Sequence, residues 1–207
     1  MKRTQMQRML AEELYIAQDA TLKKQALKAK CLLYEFNQSH PKEDEKRQQI
    51  LAKLLGKVGN EYYIEPPFYC DYGSNTFLGE NFYANTDAIF LDVAKITIGD
   101  NVMFGPRVGL YTAGHPIDPQ VRNLQLEFGR EIKIGHNVWL GGNVVVCPGV
   151  TIGDNCVIGA GSVVTKDIAP NSVAVGHPCR IVRQLSQADK AFWEEKKAQY
   201  LAEMGEL

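Results

Sequence analysis

The chain has 207 residues, 45% of them hydrophobic and 23% charged, which suits one ordinary globular core with a small second element. Its formal net charge of −1 argues against nucleic acid as the main partner, because a phosphate backbone selects a strongly basic face. The cysteines, Cys31, Cys70, Cys147, Cys156 and Cys179, are odd in number and show no CxxC spacing, which argues against a disulfide framework or zinc site and for a reducing, cytoplasmic compartment.

No apolar stretch approaches the roughly 18 residues of a membrane span, so no membrane partner is expected. Met1-Lys2-Arg3-Thr4-Gln5 is not followed by the apolar run of a secretory signal. Residues 1–60 read as a helical segment. Met6, Met9, Leu10 and Leu14 fall at helical spacing, as do Leu27, Cys31 and Leu32, with Tyr34 nearby. A third helix is predicted from Ser39-His40-Pro41, since proline suits a first helical position and Glu43, Asp44 and Glu45 favour an N-terminus. Ile50, Leu51, Leu54, Leu55 and Val58 supply its apolar face, and all these stripes read as packing surface.

Residues 61–183 decide the fold. From Ile134 an aliphatic residue recurs every six positions: Ile134, Leu140, Val146, Ile152, Ile158 and Val164. Glycine follows at Gly135, Gly141, Gly153 and Gly159, and a small or branched residue stands four places on, at Val138, Val144, Val150, Cys156 and Ser162. The same register appears at Leu78, Ile98 and Phe104. A period of six is neither helical nor simple strand alternation. It predicts a mainly β chain, a left-handed parallel β-helix in which each hexapeptide makes one short strand and a corner. The aliphatic residue points inward, Gly or Asn/Asp absorbs the corner, and stability accumulates by coil stacking.

Between Leu110 and Ile134 the repeat stops, yet the gap of 24 residues is a multiple of six. The β-helix therefore resumes in phase around an extruded loop, 111–131, and loops held by a rigid solenoid commonly carry chemistry. His115 lies at the base of that loop, between Gly114 and Pro116. In the final segment, 184–207, Ser186-Gln187-Ala188-Asp189 forms a capping box that starts a C-terminal helix through Phe192 and Trp193.

Tyr111-Thr112-Ala113-Gly114-His115-Pro116-Ile117-Asp118-Pro119, set inside hexapeptide repeats, resembles the active-site segment of the maltose and galactoside O-acetyltransferases. The resemblance continues at Pro67 to Gly73, Asn81 to Asn85, Ile134 to Gly141, Pro148 to Asn155 and Gly176 to Arg180. Leu33-Tyr34-Glu35-Phe36-Asn37 looks like the galactoside branch, and Cys70-Asp71-Tyr72-Gly73 like the maltose branch. The resemblance implies an acetyl-CoA-dependent O-acetyltransferase acting on a sugar hydroxyl, requiring no metal, and assembled as a homotrimer.

In that family the histidine matching His115 is the catalytic base. A neutral alcohol is a weak nucleophile, and an imidazole with an ordinary pKa of about 6.5 is suited to take its proton. The departing thiol, with pKa of about 8.5, needs little help, so direct transfer is expected without an acyl-enzyme. Cys147 and Cys156 sit at or beside inward positions and read as core residues. By the same resemblance Asp71, Tyr83, Asn85 and Asp92 form the acceptor pocket, and Asn85 also orients the attacking hydroxyl. Galactoside-type enzymes commonly carry serine at the place of Asp71 and a second acid at that of Val93; Asp92 also fits a corner residue. Glu127 is a candidate to orient the second nitrogen of His115, or else a loop surface charge. The donor site implied by the family comprises Gly142, Ala160, Thr165, Lys166, Arg180 and Arg183, with Gly142 also offering an oxyanion donor and Trp139 lining the groove or covering a subunit interface. Two rival readings remain: an acetyltransferase for an antibiotic or other xenobiotic hydroxyl, and a non-enzymatic or metal-binding β-helix module.

Overall fold

The computed structural model describes residues 2–205. Three parallel sheets wrap into a prism. The first face stacks Thr76–Leu78, Ile96–Ile98, Ile132–Ile134 and Thr151–Ile152. The second runs from Tyr62–Ile64 through Phe82–Ala84, Met103–Phe104, Trp139–Leu140 and Val157–Ile158 to Ser172–Gly176, where Cys179–Gln184 closes it antiparallel. The third stacks Phe68–Cys70, Ala88–Leu91, Gly109–Tyr111, Val145–Val146 and Val163–Val164. Ile98, Ile134 and Ile152 pair across successive coils, so the repeat does resume in phase after the loop.

The inward positions are those of the hexapeptide pattern: Leu140, Val146, Ile152, Ile158 and Val164 are all fully buried. Each contributes about 1.5–3 kcal/mol by leaving water. Toward the N-terminal end phenylalanine replaces aliphatics, and Phe68, Phe90, Phe104 and Phe82 pack edge to face with ring centroids 5.1–6.0 Å apart.

Asparagine and glycine do different work at the corners. Asn81, Asn101, Asn137, Asn155 and Asn171 hold left-handed backbone, with φ between 52° and 59°. Their side chains also bond along the stack, Asn137 Nδ2 to Asn155 Oδ1 at 2.9 Å and Asn155 Nδ2 to Asn171 Oδ1 at 2.8 Å. The glycine after each inward residue serves closeness instead. A Cβ at Gly141 would lie 2.6 Å from the Ala160 nitrogen of the next coil.

Helices α1 (Gln5–Leu10), α2 (Ala20–Asn37) and α3 (Asp44–Leu54) cap the prism. Leu33, Phe36, Ile50, Leu51 and Leu54 join the same apolar core as the coils. Three expectations need correction. In α2 the buried stripe is Leu22, Ala29, Leu33 and Phe36, whereas Leu27, Cys31 and Tyr34 face solvent; both stripes have helical spacing, and docking on the prism selects between them. α1 ends at Leu10, which leaves Leu10 and Leu14 exposed. α3 starts at Asp44 rather than Pro41, because Ser39 and His40 fold back as a turn, with Ser39 Oγ accepting Arg47 Nε at 2.7 Å and Glu43 accepting the His40 amide at 2.8 Å.

The capping box at Ser186 is formed and starts α5 (Gln187–Met204), whose Phe192 and Trp193 lie exposed on this chain. No helix among the described residues is long and apolar enough to cross a membrane.

Candidate active site

One corner of the prism, between the third and first faces, is enlarged in three successive coils. Inward residues stand six apart from Val146 to Ile152, but eight apart from Cys70 to Leu78 and from Phe90 to Ile98, and 24 apart from Leu110 to Ile134. The small residue excess at 71–75 and 92–95 and the long excursion after Leu110 thus lie one above another.

Each enlarged corner is held by a side chain of the next. The Asp92 carboxylate accepts the Tyr72 amide at 2.9 Å, the Asn75 amide at 3.2 Å and the Thr76 hydroxyl at 3.3 Å. Thr112 Oγ1 accepts the Ala94 amide at 2.9 Å and donates to the Leu91 carbonyl at 2.6 Å. Asp92 and Thr112 are completely buried. Asp92, expected in the acceptor pocket or as a corner residue, has no exposed surface here, and its oxygens are committed to the adjacent corner, where they organise Tyr72. Burial raises its pKa to about 6, against the backbone amides of Tyr72, Gly73 and Asn75 that favour the carboxylate.

The excursion after Leu110 is not a loose loop. Ala113–Gly114 pairs antiparallel with Leu126–Gly129, and the short helix α4 (Pro119–Arg122), capped by Asp118, turns between them. His115 follows directly, exposed, with Nδ1 3.4 Å from the Leu126 carbonyl. Glu127 does not meet His115. Its carboxylate accepts the Tyr15 hydroxyl at 2.9 Å, because strand alternation turns the Glu127 side chain toward the N-terminal segment while the Leu126 carbonyl faces the histidine.

Tyr15–Ile16 pairs antiparallel with that return strand, opposite Glu127 and Leu126. Between this pairing, α2 and the enlarged corner lies a cavity of about 400 Å³, walled by Tyr15, Gln18, Lys23, Lys30, Asp71 and Glu127 among others. The N-terminal segment is therefore more than packing surface. Tyr15, Gln18, Lys23 and Lys30 have no periodicity or motif that marks them, and only the fold brings them to Asp71. Burial and the neighbouring Glu127 carboxylate raise the Asp71 pKa to about 6, partly opposed by Lys30. Burial pushes the Tyr15 hydroxyl well up, and Glu127 adds to the shift.

Most of the expected site residues divide between two corners. Asn85, Gly142 and Ala160 stand between the second and third faces; Asp71, His115, Thr165 and Lys166 stand between the third and first. Asn85 Oδ1 accepts the Thr86 amide at 2.8 Å, and Tyr83 stacks on Tyr63 with ring centroids 6.1 Å apart. Trp139 lies on the second face, 52% exposed. Arg180 and Arg183 project from the closing strand. Arg183 is engaged by Asp189 at 2.7 Å, which holds that carboxyl at about 2, whereas Arg180 reaches only the neighbouring Cys179 carbonyl at 2.8 Å. Among the described residues no three His, Cys, Asp or Glu side chains cluster as a metal site needs.

Residues 8–59 match the maltose acetyltransferase hexapeptide capping motif, and residues 131–166 match the bacterial transferase hexapeptide repeat. The chain is 46% identical to the galactoside O-acetyltransferase of Escherichia coli over 90% of its length and 92% of the relative's. The chain belongs to the hexapeptide-repeat acetyltransferases of the maltose/galactoside type. Among solved structures it superposes on a maltose O-acetyltransferase from Clostridium difficile with TM-score 0.88 and 54% identity, over 89% of this chain and 98% of that one. A galactoside acetyltransferase in complex with coenzyme A matches with TM-score 0.89 and 46% identity, over 91% and 94%. This hexapeptide-repeat chain is an acyltransferase.

Proposed function

We propose that this acyltransferase moves an acetyl group from acetyl-CoA to a sugar hydroxyl by direct transfer, with His115 as general base. The observation that carries the reading is the placing of His115: an exposed imidazole on the hairpin that walls the Asp71 cavity, with Nδ1 against the Leu126 carbonyl. A carbonyl only accepts, so it favours the proton on Nδ1 and leaves Nε2 as the base. Nε2 takes the hydroxyl proton as that oxygen attacks the thioester carbon. The C–O bond forms, the oxyanion is met by a backbone N–H at Gly142, the C–S bond breaks, and the imidazolium returns its proton to the CoA thiolate. The thiol released is that of the coenzyme named in the complex of the 46%-identical relative.

Asp71, with Gln18 and the lysines beside it, offers the directional hydrogen bonds that vicinal hydroxyls need. The division of site residues between two corners supports a homotrimer. His115 of one prism meets the Asn85 and Gly142 corner only if a second prism supplies it, and exposed Met103 and Trp139 on the second face are suited to that packing.

The test is CoA release from acetyl-CoA by wild type and His115→Ala, with maltose, glucose, a thiogalactoside and chloramphenicol as acceptors. Sugar-dependent turnover that falls by roughly two to four orders of magnitude in the variant is expected. Turnover that survives the substitution removes His115 as the base. Stimulation by chloramphenicol alone transfers the chain to the xenobiotic branch.

A further inference from the structure

The N-terminal segment is fastened to the return arm of the catalytic hairpin at more points than capping a prism requires. Tyr15 and Ile16 pair with Glu127 and Leu126. The Glu12 carbonyl accepts Arg130 Nη1 at 2.7 Å, and its carboxylate accepts the Glu131 amide at 2.7 Å. Glu12 itself is the left-handed residue, φ 57°, that ends α1, with its amide on the Met9 carbonyl at 3.1 Å and the Glu13 amide on the Arg8 carbonyl at 3.0 Å. The Tyr15 hydroxyl completes the set by donating to Glu127 at 2.9 Å. Tyr15 is completely buried, whereas its neighbour Ile16 is 36% exposed, so the segment spends its inward position on a phenol. A phenylalanine would fill that apolar space as well; the hydroxyl is there for its hydrogen bond.

Glu127 is the informative partner. Its carboxylate and that of Asp71 share the wall of one cavity, close enough that Glu127 raises Asp71. A carboxylate without a fixed donor in such a place swings toward solvent or takes a proton. Held by Tyr15, it stays on the cavity wall as a fixed acceptor for a ligand hydroxyl. The same pairing holds Leu126, whose carbonyl faces His115 Nδ1.

We propose that Tyr15 is a positioning residue of the acceptor site: through its hydrogen bond it fixes Glu127 as a recognition carboxylate for a hydroxyl-bearing acceptor, making the strand Tyr15–Ile16 part of the site. The inference rests on the reading of that cavity as the acceptor pocket. Tyr15 acts through Glu127, so its removal has no route to the donor site.

A double-mutant cycle on the full chain tests this, with Tyr15→Phe, Glu127→Gln and the double variant assayed with acetyl-CoA and the best sugar of the acceptor panel. Tyr15→Phe is expected to lower kcat/KM for the acceptor by about tenfold, the scale of one hydrogen bond to a charged group, with KM for acetyl-CoA within about twofold of wild type. The loss falls in KM for the acceptor rather than in kcat, and it disappears in a Glu127→Gln background. The double variant is expected to be no worse than Glu127→Gln alone. Losses that multiply, or a Tyr15→Phe variant that melts earlier yet keeps wild-type kinetics, overturn the proposal while wild-type sugar turnover preserves the acetyltransferase reading. A wild type inactive on every acceptor overturns both.

Discussion

The Asp92 carboxylate accepts the Tyr72 backbone amide at 2.9 Å across two stacked coils, and so sets the corner from which Asp71 enters the cavity. Asp92→Ala strips an acceptor from the Tyr72 and Asn75 amides and the Thr76 hydroxyl at once. Unpaired buried donors of this kind cost about 2–4 kcal/mol in total. The melting temperature should fall by roughly 5–15 °C, and KM for the acceptor should rise while KM for acetyl-CoA holds. Asp92→Asn keeps one acceptor oxygen and should be intermediate in both. A melting temperature within a degree of wild type for the alanine variant removes this role from Asp92.

Asp71 should trade stability for recognition, in a pH-dependent way. Its pKa is raised to about 6, first by burial and then by Glu127. A raised carboxyl favours the protonated folded state, so its contribution is present below the ordinary value near 4 and is lost as pH rises through about 6. Asp71→Asn removes the charge that must be buried above that range. The variant should melt higher at pH 7.5, by an amount on the order of 1–3 kcal/mol, and match wild type at pH 4. Acceptor kcat/KM should fall. Thermal melts across pH 4–8 decide it: an advantage that grows toward low pH contradicts the assignment.

Two glycines separate the two uses of that residue in the coils. Gly141→Ala places a Cβ 2.6 Å from the Ala160 nitrogen, a backbone atom that cannot step aside without parting the coils. Gly161 holds φ 72° with nothing within 4 Å of the added atom. Gly161→Ala should therefore cost only the left-handed backbone term, about 1–2 kcal/mol, and Gly141→Ala several-fold more or no folded protein. Equal chemical denaturation midpoints for the two would show that coil separation adapts.

What is legible in the sequence follows from how often a physical constraint repeats. The inward position must be apolar in every coil, and the left-handed corner favours asparagine or glycine, so Ile134 to Val164 and Asn137, Asn155 and Asn171 announce the prism together. His115 is marked because a break in a strict period is itself a signal. The cap is harder to read. Leu27 and Tyr34 satisfy helical spacing as well as Leu33 and Phe36 do, and only the prism they dock on decides between them. Asp92 looks like a ligand carboxylate until its amide and hydroxyl donors, 16 to 20 residues away, are seen to be neighbours. Tyr15 carries no signal at all, since its meaning depends on Glu127, 112 residues on.

The two arginines of the closing strand, equivalent in the sequence, should differ as donor contacts. Asp189 takes Arg183 at 2.7 Å, and the same carboxylate accepts the Ser186 amide at 2.8 Å at the start of α5. Arg183 is thus tied into the helix cap through Nη1, with its charge already partnered by Asp189. Arg180 holds only the Cys179 carbonyl, beside it in the chain, and its remaining donors face solvent. A charge-assisted contact to phosphate is worth about tenfold in binding. Arg180→Ala should raise KM for acetyl-CoA by about that factor, more steeply at low salt, and leave the melting temperature near wild type. Arg183→Ala should instead loosen the start of α5, with KM for acetyl-CoA changed by about twofold or less. Steady-state kinetics and helix content by circular dichroism, measured on both variants, separate the roles. A reversed order would place the phosphates against α5, with Asp189 displaced from Arg183 when the donor binds.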